Sequence, residues 1–388
     1  VTSGHATTAL FAVAALLLAA PARPLTPEQQ RARLALDTQQ FEEVLAQSGE
    51  LLDDPPLQAY LQGVLEQLFP DLEGKLRVHV LRDASFNAFA VSSGSIYFNT
   101  GALLRLQDEA QLASILGHEG THYTGDHMFR GTVNAKRTAA SSIAVGVFVP
   151  VVGLLGITSM LGYSRDLERE ADRGGFDRMV RAGYDPRAAA EAFRRIDGEL
   201  VALKQHDRVF WTDHPSVQER IRSFDELSAR YSGDGIRSGD LYLARTAAAR
   251  QLALQILHRQ QDSATLVYLL ADQKLVDTLP PSAYYYLAEG YRLRNQPDDS
   301  AKALAAYQRA LELVPEFAPT YEALGMRYLR EGQRSEALRM FERFVALEPD
   351  AARTAYARQY IAQLQQQQPS PPQPPSPPPP SPPPQGTP

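Results

Sequence analysis

The chain has no cysteine. That excludes disulfides, thiolate catalysis, a cysteine-ligated metal and a lipidated N-terminal cysteine, and it leaves the redox compartment open. Positive charge is also short. The net charge is −6 over 388 residues, with no basic stripe, so nucleic acid is not an expected partner. Long apolar runs are scarce. Residues 9–20 (ALFAVAALLLAA) fall short of the roughly 20 residues a membrane span needs. Their length and the small residues that follow fit the core of a signal peptide over 1–22, cleaved near Ala20 or Ala22, although no Lys or Arg precedes them. A buried helix is the competing reading. On the export reading the mature protein works outside the cytoplasm, in a bacterial periplasm. At the other end, residues 365–388 are mostly Pro, Gln and Ser, too poor in apolar residues to bury a core, and are expected to form a disordered, polyproline-like tail.

What the chain does contain is His118-Glu119-Gly120-Thr121-His122, preceded at helical spacing by Leu112, Ile115 and Leu116. Residues four apart lie one turn along the same helix face, so His118 and His122 offer two imidazoles to one cation. Zinc suits two such nitrogens plus a carboxylate, with a fourth position for water. Glu119, about 100° round the helix, is placed to take that water's proton. Asp108 and Gln111 mark where this helix starts. Upstream, Thr26-Pro27-Glu28-Gln29 opens a helix to about residue 47, and a second follows Pro55-Pro56 and stops near Pro70. Residues 74–82, 87–91 and 95–99 read as short strands of a small antiparallel sheet. An extended substrate could add to an edge strand there. The candidates are Ser95, Ile96, Tyr97 and Phe98, or failing these Asn87-Ala88-Phe89-Ala90.

Downstream stands Ser164-Arg165-Asp166-Leu167-Glu168-Arg169-Glu170-Ala171-Asp172. Glu168 and Asp172 share a helix face, while Glu170 is about 200° away from Glu168. Glu168 is therefore the candidate third ligand, and Asp172 the acceptor that holds a ligand imidazole in the right tautomer. The alternative is a charged solvent face laced with arginines. His127 is not taken as a ligand: the pattern HExxHxxGxxH needs its last His at position 128, which is Met128. Residues 138–164 carry no charge. A single membrane span there would put Glu168 and the histidines on opposite sides of the bilayer, and two spans need about 40 residues. Gly146, Pro150, Gly153 and Gly156 break the run instead, which suggests a hairpin of two short helices beside the cleft: a lid, an apolar substrate surface, a membrane contact, or a buried core hairpin.

HEGTH, followed by SRDLEREAD and preceded by Asn87-Ala88-Phe89-Ala90, resembles the gluzincin family of the CAAX prenyl protease and HtpX. The resemblance covers roughly residues 76–223. It implies a zinc peptidase with HExxH followed by ExxxD, in which Glu168 ligates zinc and Asp172 closes the second motif. The family's His-Pro motif with an Arg six residues after the His matches His214-Pro215 and Arg220, with Asp213 where Thr is common. By resemblance, His214 stabilises the tetrahedral intermediate or blocks zinc's open site. Arg220 supports the oxyanion or pairs with a carboxylate.

In the C-terminal half, Tyr321, Leu324, Gly325, Tyr328, Ala337, Phe341 and Pro349 fit a tetratricopeptide (TPR) repeat. An earlier copy uses Tyr284, Leu287, Tyr291, Ala303, Tyr307, Ala310 and Pro315. Such arrays present a curved surface to peptides or protein partners. The expected fold is therefore mainly α with a small antiparallel sheet over 23–235, followed by an α-helical TPR solenoid over 236–364. The combined reading is an exported zinc endopeptidase with a partner-binding array. It resembles periplasmic peptidases of outer-membrane protein quality control, acting on unfolded or misassembled proteins. The alternative is a chaperone or assembly adaptor with a latent or structural zinc site.

Overall fold

The computed structural model describes residues 25–138, 163–204, 217–350 and 352–366. The apolar run at 9–20, nearly all of the uncharged stretch, the His-Pro pair and the tail beyond 366 lie outside these residues. The chain divides into two compact units, 1–256 and 257–388. Helix 239–259 begins inside the first unit: Tyr242 is fully buried in its core and donates to the Leu103 carbonyl at 2.7 Å. Among the described residues no helix is long and apolar enough to cross a membrane.

The first unit opens with α1 (Pro27–Ser48), capped by Thr26 and Gln29 in a reciprocal capping box, and α2 (Pro55–Leu68), capped by Asp54. Three strands follow: β1 (Arg77–Leu81), β2 (Ala88–Ala90) and β3 (Ser95–Asn99). Their order is β1-β3-β2, with β1 parallel and β2 antiparallel to β3. Two expectations are corrected here. The sheet is mixed rather than antiparallel, and Ser95, Ile96, Tyr97 and Phe98 form its central strand, with no free edge for a substrate. The physical reason is burial. Every residue of β3 is buried, so its backbone groups need partners on both sides. The short β2 takes the edge.

After the six-residue α3 (Thr100–Arg105) comes α4 (Glu109–Thr124), which carries both histidines and is buried from Glu109 to His122. Asp108 caps it by accepting from Gln111 N at 2.8 Å, and Arg237 pairs with Asp108 at 3.0 Å. α5 (His127–Thr138) follows at once. Then come α6 (Arg165–Arg181), α7 (Arg187–Ala202) and α8 (Val217–Ser228). α4 and α6 pack backbone to backbone at two glycines. A Cβ on Gly175 would sit 2.5 Å from His118 N and 2.6 Å from the Gly117 carbonyl carbon. Only two glycines allow so close a crossing, and the crossing sets Glu168 opposite the histidines. Gly175→Ala should therefore destabilise the protein by about 2–3 kcal/mol, because neither backbone can step aside. Gly63→Ala on α2, with nothing within 4 Å, is the control and should stabilise by up to about 1 kcal/mol. Denaturant midpoints check both, and equal midpoints would remove the special status of the crossing.

In the second unit, helix–loop–helix pairs Ala283–Arg294 with Asp299–Leu313 and Ala318–Arg330 with Arg334–Leu347 are followed by Thr354–Gln366. Each pair closes on small residues: the Phe341 ring lies against Gly325, and Ala303 and Ala337 are buried. Glu289, buried between helices, accepts from His258 at 2.9 Å and from Arg292 and Tyr307.

Candidate metal centre

One turn apart on α4, His118 and His122 set their Nε2 atoms 3.0 Å from each other. Glu168, in the first turn of α6, brings Oε2 to 3.5 Å from His118 Nε2 and Oε1 to 3.6 Å from His122 Nε2. All three residues are buried, and one donor atom from each lies within 4.8 Å of the others. A carboxylate enclosed with two imidazoles is unfavourable unless a cation or a proton balances it. Two nitrogens and a carboxylate with one direction left open are the donor set of a catalytic zinc site, so these residues fit that ion.

The remaining nitrogens of both rings are occupied. His118 Nδ1 lies 2.9 Å from Asp172 Oδ1. Arg220, from α8, grips the same carboxylate: its Nε donates to Oδ2 at 3.1 Å and its Nη2 to Oδ1, with the guanidinium 4.1 Å over the Phe193 ring. Arg220 Nη2 also lies 3.0 Å from His118 Nδ1. With Nε2 facing a cation, Nδ1 keeps its proton and donates it to Asp172. Burial alone would raise the Asp172 carboxyl, but the Arg220 charge and the His118 hydrogen bond hold it down at about 2. Burial, then the Arg220 charge, keeps His118 below the usual imidazole range. Of the two roles offered for Arg220, the observed geometry is carboxylate pairing.

Glu119 is buried next to the donor set. Its Oε2 accepts from Ala90 N on β2 at 3.1 Å, and its Oε1 lies 4.0 Å from His118 Nε2. Burial, then the nearby charge of Glu168, pushes its carboxyl well above the ordinary value. Phe89 pairs with Tyr97 within the sheet, so Ala88 and Ala90 turn their backbone groups to the outer edge of β2, alongside Glu119. The second choice of substrate strand, Asn87-Ala88-Phe89-Ala90, therefore lies at the sheet edge beside the site, with Ala90 N already bonded to Glu119.

The arginine-laced run is a solvent face only in part. Asp166, Arg169 and Glu170 are exposed, whereas Glu168 and Asp172 are buried. Glu170 points away and pairs with Arg130 at 2.9 Å. His214 lies outside the described residues. Two neighbours of the site carry no motif. Tyr163 stacks on His122 with ring centres 4.0 Å apart and 17° between planes. His127, fully buried, sets Nδ1 2.9 Å from His122 Nδ1. The spacing rules single out ligands, and a residue packed behind a ligand leaves no pattern. The turn at Gly125-Asp126, where Asp126 takes φ 53°, is the one local sign that His127 folds back.

The chain is 26% identical over 261 residues to a putative beta-barrel assembly-enhancing protease of Vibrio cholerae, covering 62% of this chain and 53% of that protein. It is 29% identical over 206 residues to the mitochondrial metalloendopeptidase OMA1 of Schizosaccharomyces pombe, covering 50% of this chain and 60% of that one. It is 26% identical over 240 residues to the beta-barrel assembly-enhancing protease of Escherichia coli, covering 57% and 48%. The chain thus spans about half the length of the curated relatives it matches. The sequence profile of peptidase family M48 matches residues 53–228, a stretch that includes His118, Glu119, His122, Glu168, Asp172 and Arg220. A peptidase family M48 domain therefore occupies residues 53–228 of this chain.

Proposed function

We propose that the protein is a zinc-dependent endopeptidase that acts outside the cytoplasm on unfolded or misassembled proteins. The observation that carries this reading is the convergence of His118 Nε2, His122 Nε2 and both Glu168 oxygens beside Glu119. Zinc held there would lower the pKa of a bound water and polarise the scissile carbonyl. Glu119 would take that water's proton and return it to the leaving amine. Asp172, fixed by Arg220, would keep His118 oriented. The outer edge of β2 would receive an extended peptide through the Ala88 backbone groups and the Ala90 carbonyl, the Ala90 N–H being held by Glu119. An edge strand recognises backbone along its length rather than a chain end, which favours internal cleavage.

The helix–loop–helix pairs after residue 257 support a TPR-like surface for substrates or protein partners. The names of the Vibrio and Escherichia relatives point to the assembly of beta-barrel proteins, which would place this protein's work at the outer membrane, and the apolar run at 9–20 agrees with export to the periplasm. Residues 138–164 would then offer peripheral membrane contact. The test is metal dependence. Purified protein should hold about one zinc per chain. Cleavage of casein or unfolded porin should stop on chelation and return with added zinc. Cleavage that survives complete metal removal would reject the reading.

A further inference from the structure

We infer that His127 is a positioning residue for the metal site: its Nδ1 accepts the Nδ1 proton of His122 and so turns His122 Nε2 toward Glu168. This rests on the zinc reading above. The two Nδ1 atoms are 2.9 Å apart, both rings are buried, and the planes meet at 79°. One nitrogen must donate and the other accept. A ligand imidazole that gives Nε2 to a metal carries its proton on Nδ1, so His122 donates and His127 accepts. The His127 proton then sits on Nε2. That atom is buried and faces Glu170 Oε1 at 3.4 Å. Arg130 in turn holds Glu170 with two contacts at 3.0 and 2.9 Å.

His127 cannot be a ligand itself. Its contact is with Nδ1 of His122, on the side of that ring away from Nε2, and among the described residues no carboxylate converges between the two Nδ1 atoms as Glu168 does between the two Nε2 atoms. The two ligand histidines are thus oriented by different chemistry, His118 by the Asp172 carboxylate and His122 by an imidazole. The turn is shaped for this. Gly125 lies so close to the His127 ring that a Cβ there would sit 2.2 Å from Nε2.

The test measures affinity for zinc alone, by competition with a chelator, together with the melting temperature of the metal-free protein. His127→Phe keeps the bulk and removes the acceptor, and zinc affinity should fall about 10–100-fold. His127→Asn puts an amide oxygen near the Nδ1 position and should stay within a few-fold of wild type. Gly125→Ala leaves His127 in the chain but displaces its ring, and should weaken zinc binding even if His127→Phe fails to fold. Equal affinity in wild type, His127→Phe and Gly125→Ala would overturn the proposal. So would equal losses in the Phe and Asn variants, since packing rather than the hydrogen bond would then be responsible. Wild-type protein that takes up no zinc would overturn the zinc reading, and this inference with it.

Discussion

Glu119→Gln should abolish peptide-bond cleavage while leaving zinc uptake and folding intact. The expected fall in rate is about 10²–10⁴-fold, the range for losing a positioned general base. The substitution is nearly isosteric, and the amide oxygen of Gln can still accept from Ala90 N, where Glu119 now does so at 3.1 Å. Gln cannot take a proton from water. Glu119 is buried and its carboxyl is pushed well above the ordinary value by that burial and by Glu168. A neutral amide therefore loses nothing in the metal-free fold, and the melting temperature should hold or rise. Casein cleavage by wild type and variant decides the matter. Equal rates would remove Glu119 from the chemistry. If neither protein cleaves but both still suppress aggregation of an unfolded porin, the adaptor reading takes over.

Arg220→Met should be the most destabilising single change in the site. Arg220 and Asp172 are 3% and 5% exposed, so removing the guanidinium strands a buried carboxylate and should cost about 3–5 kcal/mol. The double variant Arg220→Met with Asp172→Asn takes away both charges and should recover most of that loss, with the Asn oxygen still able to accept from His118 Nδ1. Denaturant midpoints of the two single variants and the double complete the cycle. A loss under about 1 kcal/mol for Arg220→Met would mean that the pair is solvated after all. The same pair sets an acid limb. Asp172 is held at about 2 in the fold, below its value of about 3.9 in an unfolded chain. Its contribution is therefore complete above about pH 4 and is lost as pH falls from there toward 2. That part of the acid limb should flatten in the double variant.

The sheet marks where sequence reasoning stopped. Alternation and turn residues located all three strands to within a few residues, because those signals act over neighbouring positions. Their order was not legible. β3 lies between β1 and β2, a choice made by how completely its side chains and backbone are buried, so Ser95 to Phe98 stand at the centre and Ala88–Ala90 at an edge. In the second unit, Gly325, Ala337 and Phe341, singled out by their spacing, lie where two helices meet: the Phe341 ring is against Gly325, and Ala337 is buried.

The spacing of His118 and His122 and that of Glu168 and Asp172 were determined by sequence alone. A helix returns to the same face every four residues, and that rule needs no knowledge of the rest of the fold. Tertiary structure alone decided that the two pairs would meet. Gly117 and Gly175 let α4 and α6 cross at backbone contact, Arg220 arrives from α8 to hold Asp172, and Tyr163 and His127 close around His122. These contacts join residues whose mutual distance is the summed result of packing across the whole unit, and no local periodicity encodes such a sum.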